Sequence, residues 1–81
     1  MEKLKSVLGQ DVFVVILIFG DTKISESGEL MEVNEPNNYI VLSVIPWGEC
    51  KRSIPIDSSN IKLLKVYDRG GRVIYDVEVS N

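Results

Sequence analysis

The sequence predicts a mainly β domain: a small, strongly bent barrel with a short N-terminal helix and a C-terminal hairpin extension, occupying residues 1–81 as one unit. Three observations lead there. Apolar, β-rich stretches of five to nine residues recur between turn signals. A Gly-Gly pair at 70–71 sits between two such stretches and reads as a hairpin. With 81 residues there is no room for a second lobe or for the βαβ repeats of a nucleotide-binding fold.

Each element has its own signal. Leu4, Val7 and Leu8 recur at i, i+3, i+4, the spacing of a two-turn helix resting one face on something larger, with Gly9 as its stop. Asp11 to Phe19 is so rich in Val, Ile and Phe that it reads as a first strand buried on both faces, closed by a Gly20-Asp21 turn. Lys23 to Val33 is a less regular second strand, with apolar Ile24, Leu30 and Val33 and with Gly28 marking a bulge or bend. Asn34-Glu-Pro-Asn-Asn38 is the clearest loop, because Pro36 lacks a donor and asparagine tolerates turn dihedrals. Tyr39 to Ile45 is the third strand, and Pro46 to Glu49 is a turn.

Pro55 places the short fourth strand, through Arg52, Ile54 and Ile56, at an edge. Asp57 to Asn60 reads as a brief helical turn, and Ile61 to Tyr67 as the fifth strand. After the Asp68 to Arg72 turn, strict alternation sets Val73, Tyr75, Val77 and Val79 on one face and Ile74, Asp76 and Glu78 on the other.

Composition limits the function classes. A net charge of −3 gives no general attraction to phosphate backbones, although the charge is uneven. Residues 20–35 carry five acids against Lys23, whereas residues 49–72 carry six cations against three acids. The apolar run at 12–19 is too short to span a bilayer as a helix, and the N-terminus lacks a signal-peptide pattern, so a cytoplasmic protein without a membrane partner is expected. Cys50 is the sole cysteine and there is no histidine, so neither a disulfide framework nor an ordinary zinc site is expected, and no cofactor is implied. A chain this short buries only roughly 60% of its unfolded surface, which makes partner burial attractive.

The first half is similar to the Sm-like (LSm) family, through Val12, Val14, Ile16, Phe19 and Gly20, then Leu30, Val33, Asn34, Asn38 and Leu42. The second half departs from it: near Ile54-Pro55-Ile56-Asp57 the family's arginine is absent. The resemblance implies an Sm-like or related SH3-like barrel joined edge to edge in a homo-oligomeric ring. It also implies a nucleotide pocket at the loop residues matching Asn34 and Asn38, with Asn37 and Tyr39 as neighbours. Amides can pair with a base edge and a tyrosine can stack on a base, so single-stranded RNA is the expected ligand. Lys51, Arg52 and Lys62 are candidate phosphate contacts. As a purely structural turn, the same Asn-rich loop needs no ligand.

Ile54, Ile56, Leu63 and Val66 are candidate interface residues on exposed strand edges, and Trp47 is either a recognition anchor or a core cap. A second function class is a structural or adaptor module that recruits protein through the hairpin from Tyr67 onward or through Trp47. Enzyme chemistry is not expected. Glu26, Glu29, Glu32 and Glu35 do not converge as strand residues, and a Glu26/Glu32 pair sharing a face reads as solvated surface.

Overall fold

The structure is a computed structural model that describes residues 2–19, 22–44, 50–56 and 60–78. A four-residue helix, α1 (Glu2–Lys5), precedes six strands: β1 (Asp11–Ile18), β2 (Thr22–Asn34), β3 (Tyr39–Ser43), β4 (Lys51–Pro55), β5 (Ile61–Tyr67) and β6 (Val73–Glu78). They form one antiparallel sheet in the order β4-β3-β2-β1-β5-β6.

The expected barrel is not formed. β4 and β6 are the two edges of an open sheet, and β4 meets neither β5 nor β6. The reason lies in β5, which pairs with β1 on one side and with β6 on the other, so it has no free edge left to receive β4. The hairpin read as an extension beyond a barrel is instead the sheet's last strand. The Sm-like resemblance and the SH3-like barrel are therefore corrected to an open mixed-length sheet, and a ring of such barrels has no basis in this fold.

Pairing divides the sheet into two faces. On the inner face, Val12, Val14 and Ile16 of β1 meet Leu30 of β2, Ile40 and Leu42 of β3, Ile54 of β4, and Leu64 and Val66 of β5 in one buried cluster. Leu4 of α1 is fully buried against it and Val7 packs at its margin. The helix is shorter than its apolar spacing predicts: after Lys5 the chain continues in turns to Gly9, whose φ of +84° suits glycine, and Leu8 is left exposed. Gly9 N–H then donates to the Leu30 carbonyl at 2.8 Å, which docks the helical segment onto β2.

Two irregularities shape β2. The register shifts between Leu30 and Glu32, so Val33 returns to the core face opposite Ile40 while Met31 and Glu32 are exposed. Three residues earlier, the carbonyl of Ser43 sits directly over Gly28, where a Cβ would collide with its oxygen and lie 3.0 Å from its carbon. Glycine stands there because β3 crosses β2 too closely for any side chain.

The β5–β6 hairpin forms as the sequence predicts. Asp68 Oδ1 accepts the N–H groups of Gly70 and Arg72, both at 2.9 Å, and Gly71 takes a φ of +82°. Strict alternation fails inside β6, however. A register shift makes Ile74 an extra residue, so Val73 joins Asp76 and Glu78 on the outer face while Tyr75 and Val77 face inward. The expected turns at Gly20-Asp21, Pro46 to Glu49 and Asp57 to Ser59 lie outside the described residues, as does Val79.

Replacing Gly28 with alanine is expected to destabilise the fold by about 1–3 kcal/mol, since the obstacle is backbone and cannot rotate away. Asp68→Ala is expected to cost about 1 kcal/mol by removing the acceptor for two turn amides. Urea denaturation of both variants, with Ser27→Ala as an exposed control, measures the difference.

Candidate functional site

The Asn-rich segment is a β2–β3 hairpin whose polar groups bond to one another. Asn34 Oδ1 accepts from the Asn37 backbone N–H at 3.1 Å and from Asn37 Nδ2 at 3.3 Å. Asn34 Nδ2 donates to the Tyr39 hydroxyl at 2.9 Å and to Glu32 Oε2 at 3.2 Å, and the Tyr39 hydroxyl donates to the same carboxylate oxygen. Asn38 holds a φ of 54°, a left-handed conformation that asparagine tolerates, and its carbonyl accepts from Ile56 N–H at 2.9 Å. Lys5 Nζ reaches Glu35 at 3.1 Å and ties α1 to the loop. Asn34, Asn37, Asn38 and Tyr39 therefore do come together, in a network that shapes the turn.

The three cations do not join them. Lys51 lies at the far end of β4, four residues along the strand from Pro55, which pairs with Tyr39; that is roughly 13 Å at strand spacing. Lys62 is the exposed extra residue at the β1–β5 register shift, on the other half of the sheet. Arg52 projects on the inner face, where its Nε approaches Glu26 Oε1 at 3.5 Å. Glu26, read from sequence as solvated, has a side chain only 17% exposed, next to Val14 on that face. The bulge at Leu30/Glu32 puts Glu26 and Glu32 on opposite faces, so they form no pair.

Among the expected interface residues, Ile54, Ile56 and Val66 are buried in the chain's own core, and Trp47 lies outside the described residues. Leu63 alone faces outward, on β5. Its neighbours there are what sequence reading missed. Register places Phe13, Val15 and Leu17 of β1 beside Tyr67, Lys65 and Leu63 of β5, and these beside Val73, Asp76 and Glu78 of β6. On the other flank, β2 supplies Ser27, Ser25 and Lys23.

This outer face has an apolar centre. Phe13 is 43% exposed and Val73 44%, and the Phe13 and Tyr67 rings meet at 6.2 Å between centroids with a 45° tilt. The signal was present in the sequence as a first strand apolar at nearly every position, but it was read as burial of both faces within one chain. A groove of about 550 Å³ also opens between α1 and β6, lined by Glu2, Lys3, Ile74, Tyr75 and Asp76. Cys50 is exposed, and among the described residues no three His, Cys, Asp or Glu side chains gather as a metal-binding group. Among them, too, no helix is long and apolar enough to cross a membrane.

Compared with protein-family models, curated proteins and solved structures, the chain matches none.

Asn34→Ala is expected to lower stability by about 1–2 kcal/mol, because it leaves the Asn37 N–H without its acceptor and takes one of two hydrogen bonds from the Tyr39 hydroxyl, which keeps Glu32. Tyr39→Phe, which removes only the hydroxyl, is expected to cost about half as much. Thermal unfolding of the two single variants and their double variant checks this, with a double-variant loss smaller than the sum as the mark of a shared network.

Proposed function

We propose that this chain is a non-enzymatic structural or adaptor module that binds protein through the outer face of its sheet, across β1, β5 and the β5–β6 hairpin. The observation that supports this most is β1 itself. Its inner residues Val12, Val14 and Ile16 are buried, while Phe13, Val15 and Leu17 carry equally apolar side chains on the opposite side, where Phe13 is exposed and the other two are half-buried. An apolar patch crossed by Lys65 and rimmed by Lys23, Asp76 and Glu78 has the mixed composition of a protein-binding surface. Aromatic residues at its centre, here Phe13 and Tyr67, are the type that concentrates binding energy.

Two placements favour this reading over recognition of single-stranded RNA. The Asn34 amide and the Tyr39 hydroxyl are engaged within the hairpin, so a base edge would have to displace an internal hydrogen bond. Lys51, Arg52 and Lys62 are distributed over both halves of the sheet, with Arg52 beside Glu26, so no cationic track runs past the loop.

A random peptide library panned on the immobilised chain tests the proposal. Enriched peptides are expected to shift backbone amide resonances of residues 13–17, 63–67 and 73–78, and to lose at least about tenfold in affinity on Phe13→Ser. Peptides whose shifts fall on residues 34–39 would sink the proposal. Saturable binding of oligonucleotides of mixed sequence to that hairpin at about 150 mM salt would sink it equally.

A further inference from the structure

The geometry points to a further protein-binding element: the open edge of β6, with the groove beside α1, takes an extended segment of another protein as an added strand, one with basic side chains at alternate positions. This surface is separate from the outer face of the sheet, so the inference goes beyond the reading above and does not rest on it.

Backbone direction along β6 follows from the ladder. In an antiparallel sheet each residue turns both its N–H and its C=O to one neighbouring strand, and the side alternates along the chain. Asp68 N–H donates to the Arg72 carbonyl at 2.9 Å, so Asp68, and with it Val66 and Leu64, turns towards β6. Their partners Tyr75 and Val77 turn back towards β5. On the far side of β5, Phe19 N–H donates to the Asn60 carbonyl at 3.1 Å, which fits the same alternation from β1. Asp76 and Glu78 therefore turn their N–H and C=O groups away from the sheet, and among the described residues no backbone hydrogen bond from α1 or a loop reaches them.

The sheet's other edge is guarded. Ile56 N–H donates to the Asn38 carbonyl at 2.9 Å and Val44 N–H to the Cys50 carbonyl at 2.8 Å, so Ile54 and Arg52 turn towards β3 while Lys51, Ser53 and Pro55 face outward. Pro55 has no N–H to give, and a lysine at an edge discourages pairing. Val73–Glu78 contains neither proline nor lysine. Beside it lies the groove of about 550 Å³, lined by Glu2 and Lys3 of α1 and by Ile74, Tyr75 and Asp76 of β6.

These groups specify the occupant. An extended chain presents N–H and C=O pairs every second residue, about 6.8 Å apart, which is the spacing of the outward groups of Asp76 and Glu78. Side chains of an added strand directly opposite these two lie on the same face as their exposed carboxylates, where opposite charge stabilises the pair. With Glu2, three acids border the site against the single base Lys3. The intervening residues of the added strand point inward, alongside Tyr75 and Val77 and next to the groove, where half-buried Ile74 and Tyr75 already pack on the core and an apolar side chain fits. The segment is thus alternately basic and apolar. A second copy's β6 does not meet this demand: within residues 75–78, where the strand is regular, an antiparallel ladder sets Asp76 or Glu78 of one copy against Asp76 or Glu78 of the other. Two ladder residues supply few hydrogen bonds, so the expected Kd is about 0.1–1 mM.

Amide hydrogen exchange and chemical-shift mapping on the full chain test the inference, with a blocked peptide of about eight alternating lysine and valine residues as the probe. In the free chain the Asp76 and Glu78 amides are expected to exchange freely while those of Tyr75 and Val77 are protected. Saturating probe is expected to slow Asp76 and Glu78 at least about tenfold, and to shift residues 2–5 and 74–78 while residues 13–17 stay in place. N-methylation of the probe's lysine amides, which face the edge, is expected to abolish binding, whereas N-methylation of its valine amides is expected to be tolerated. Asp76→Lys combined with Glu78→Lys is expected to weaken binding of the probe about tenfold and to admit a peptide of alternating glutamate and valine in its place.

Protection of Asp76 and Glu78 in the dilute free chain would overturn the inference, because the edge would already be covered from within the chain. Protection that appears without probe as the chain is concentrated would overturn it in favour of a second copy. Equal binding of the lysine and glutamate peptides, or binding that survives N-methylated lysines, would overturn it as well. A probe that shifts residues 13–17 in place of 74–78 would remove the edge site and leave the outer face standing, and a failure of the outer face in its own test leaves the edge site untouched.

Discussion

β1 lies between β2 and β5, near the middle of the sheet, and nearly every one of its side chains is apolar. On one side Val12, Val14 and Ile16 collect the core residues of five strands, and Leu4 of α1 seals the same cluster. That single strand gives the two halves of the sheet a common centre, because β2-β3-β4 and β5-β6 touch through it and through the short helix. Its other side, with Phe13 exposed and Val15 and Leu17 half-buried, has no second layer over it among the described residues. A strand buried on both faces normally needs a layer on each. The described residues form one layer plus a four-residue helix, and the apolar side of β1 that they leave partly exposed is the physical origin of the functional proposal.

Close packing on the inner side depends on departures from regularity. Gly28 lets the Ser43 carbonyl approach the β2 backbone, and the register shift after Leu30 changes which residues of β2 face inward. The same shift moves Glu32 to the outer side, within reach of Asn34 and Tyr39, while Glu26 stays on the inner side beside Arg52. One extra residue in a strand thus decides which of two similar glutamates stabilises a hairpin and which closes the margin of the core.

How much of this was legible varies by element, for reasons that can be named. Local chemistry identified the Asp68 to Arg72 turn, the Asn-rich loop and the edge position marked by Pro55, because each depends on dihedral preferences of a few adjacent residues, whereas the helix expected to run to Gly9 ends at Lys5. The candidate site was legible only as a cluster. Asn34, Asn37, Asn38 and Tyr39 do converge, but bond lengths and partners showed that their groups serve one another. Barrel closure was misread, since five short strands and a hairpin are compatible with both a closed and an open arrangement until the partner of each strand edge is known.

Alone, the sequence determined the mainly β class, the approximate strand positions, the turns at Asn34 to Asn38 and Asp68 to Arg72 and the presence of one strand with apolar side chains on both faces. These follow from residue-by-residue backbone preference and from a period of two, which act over a few positions. Only the tertiary structure decided that β6 occupies the edge of β5 that a barrel would give to β4, that Ile54, Ile56 and Val66 belong to the core, and that Phe13, Tyr67 and Val73 share an open face. Those outcomes depend on which distant strands compete for the same backbone hydrogen bonds, and on single-residue register shifts that exchange inside for outside, neither of which leaves a local mark in the chain.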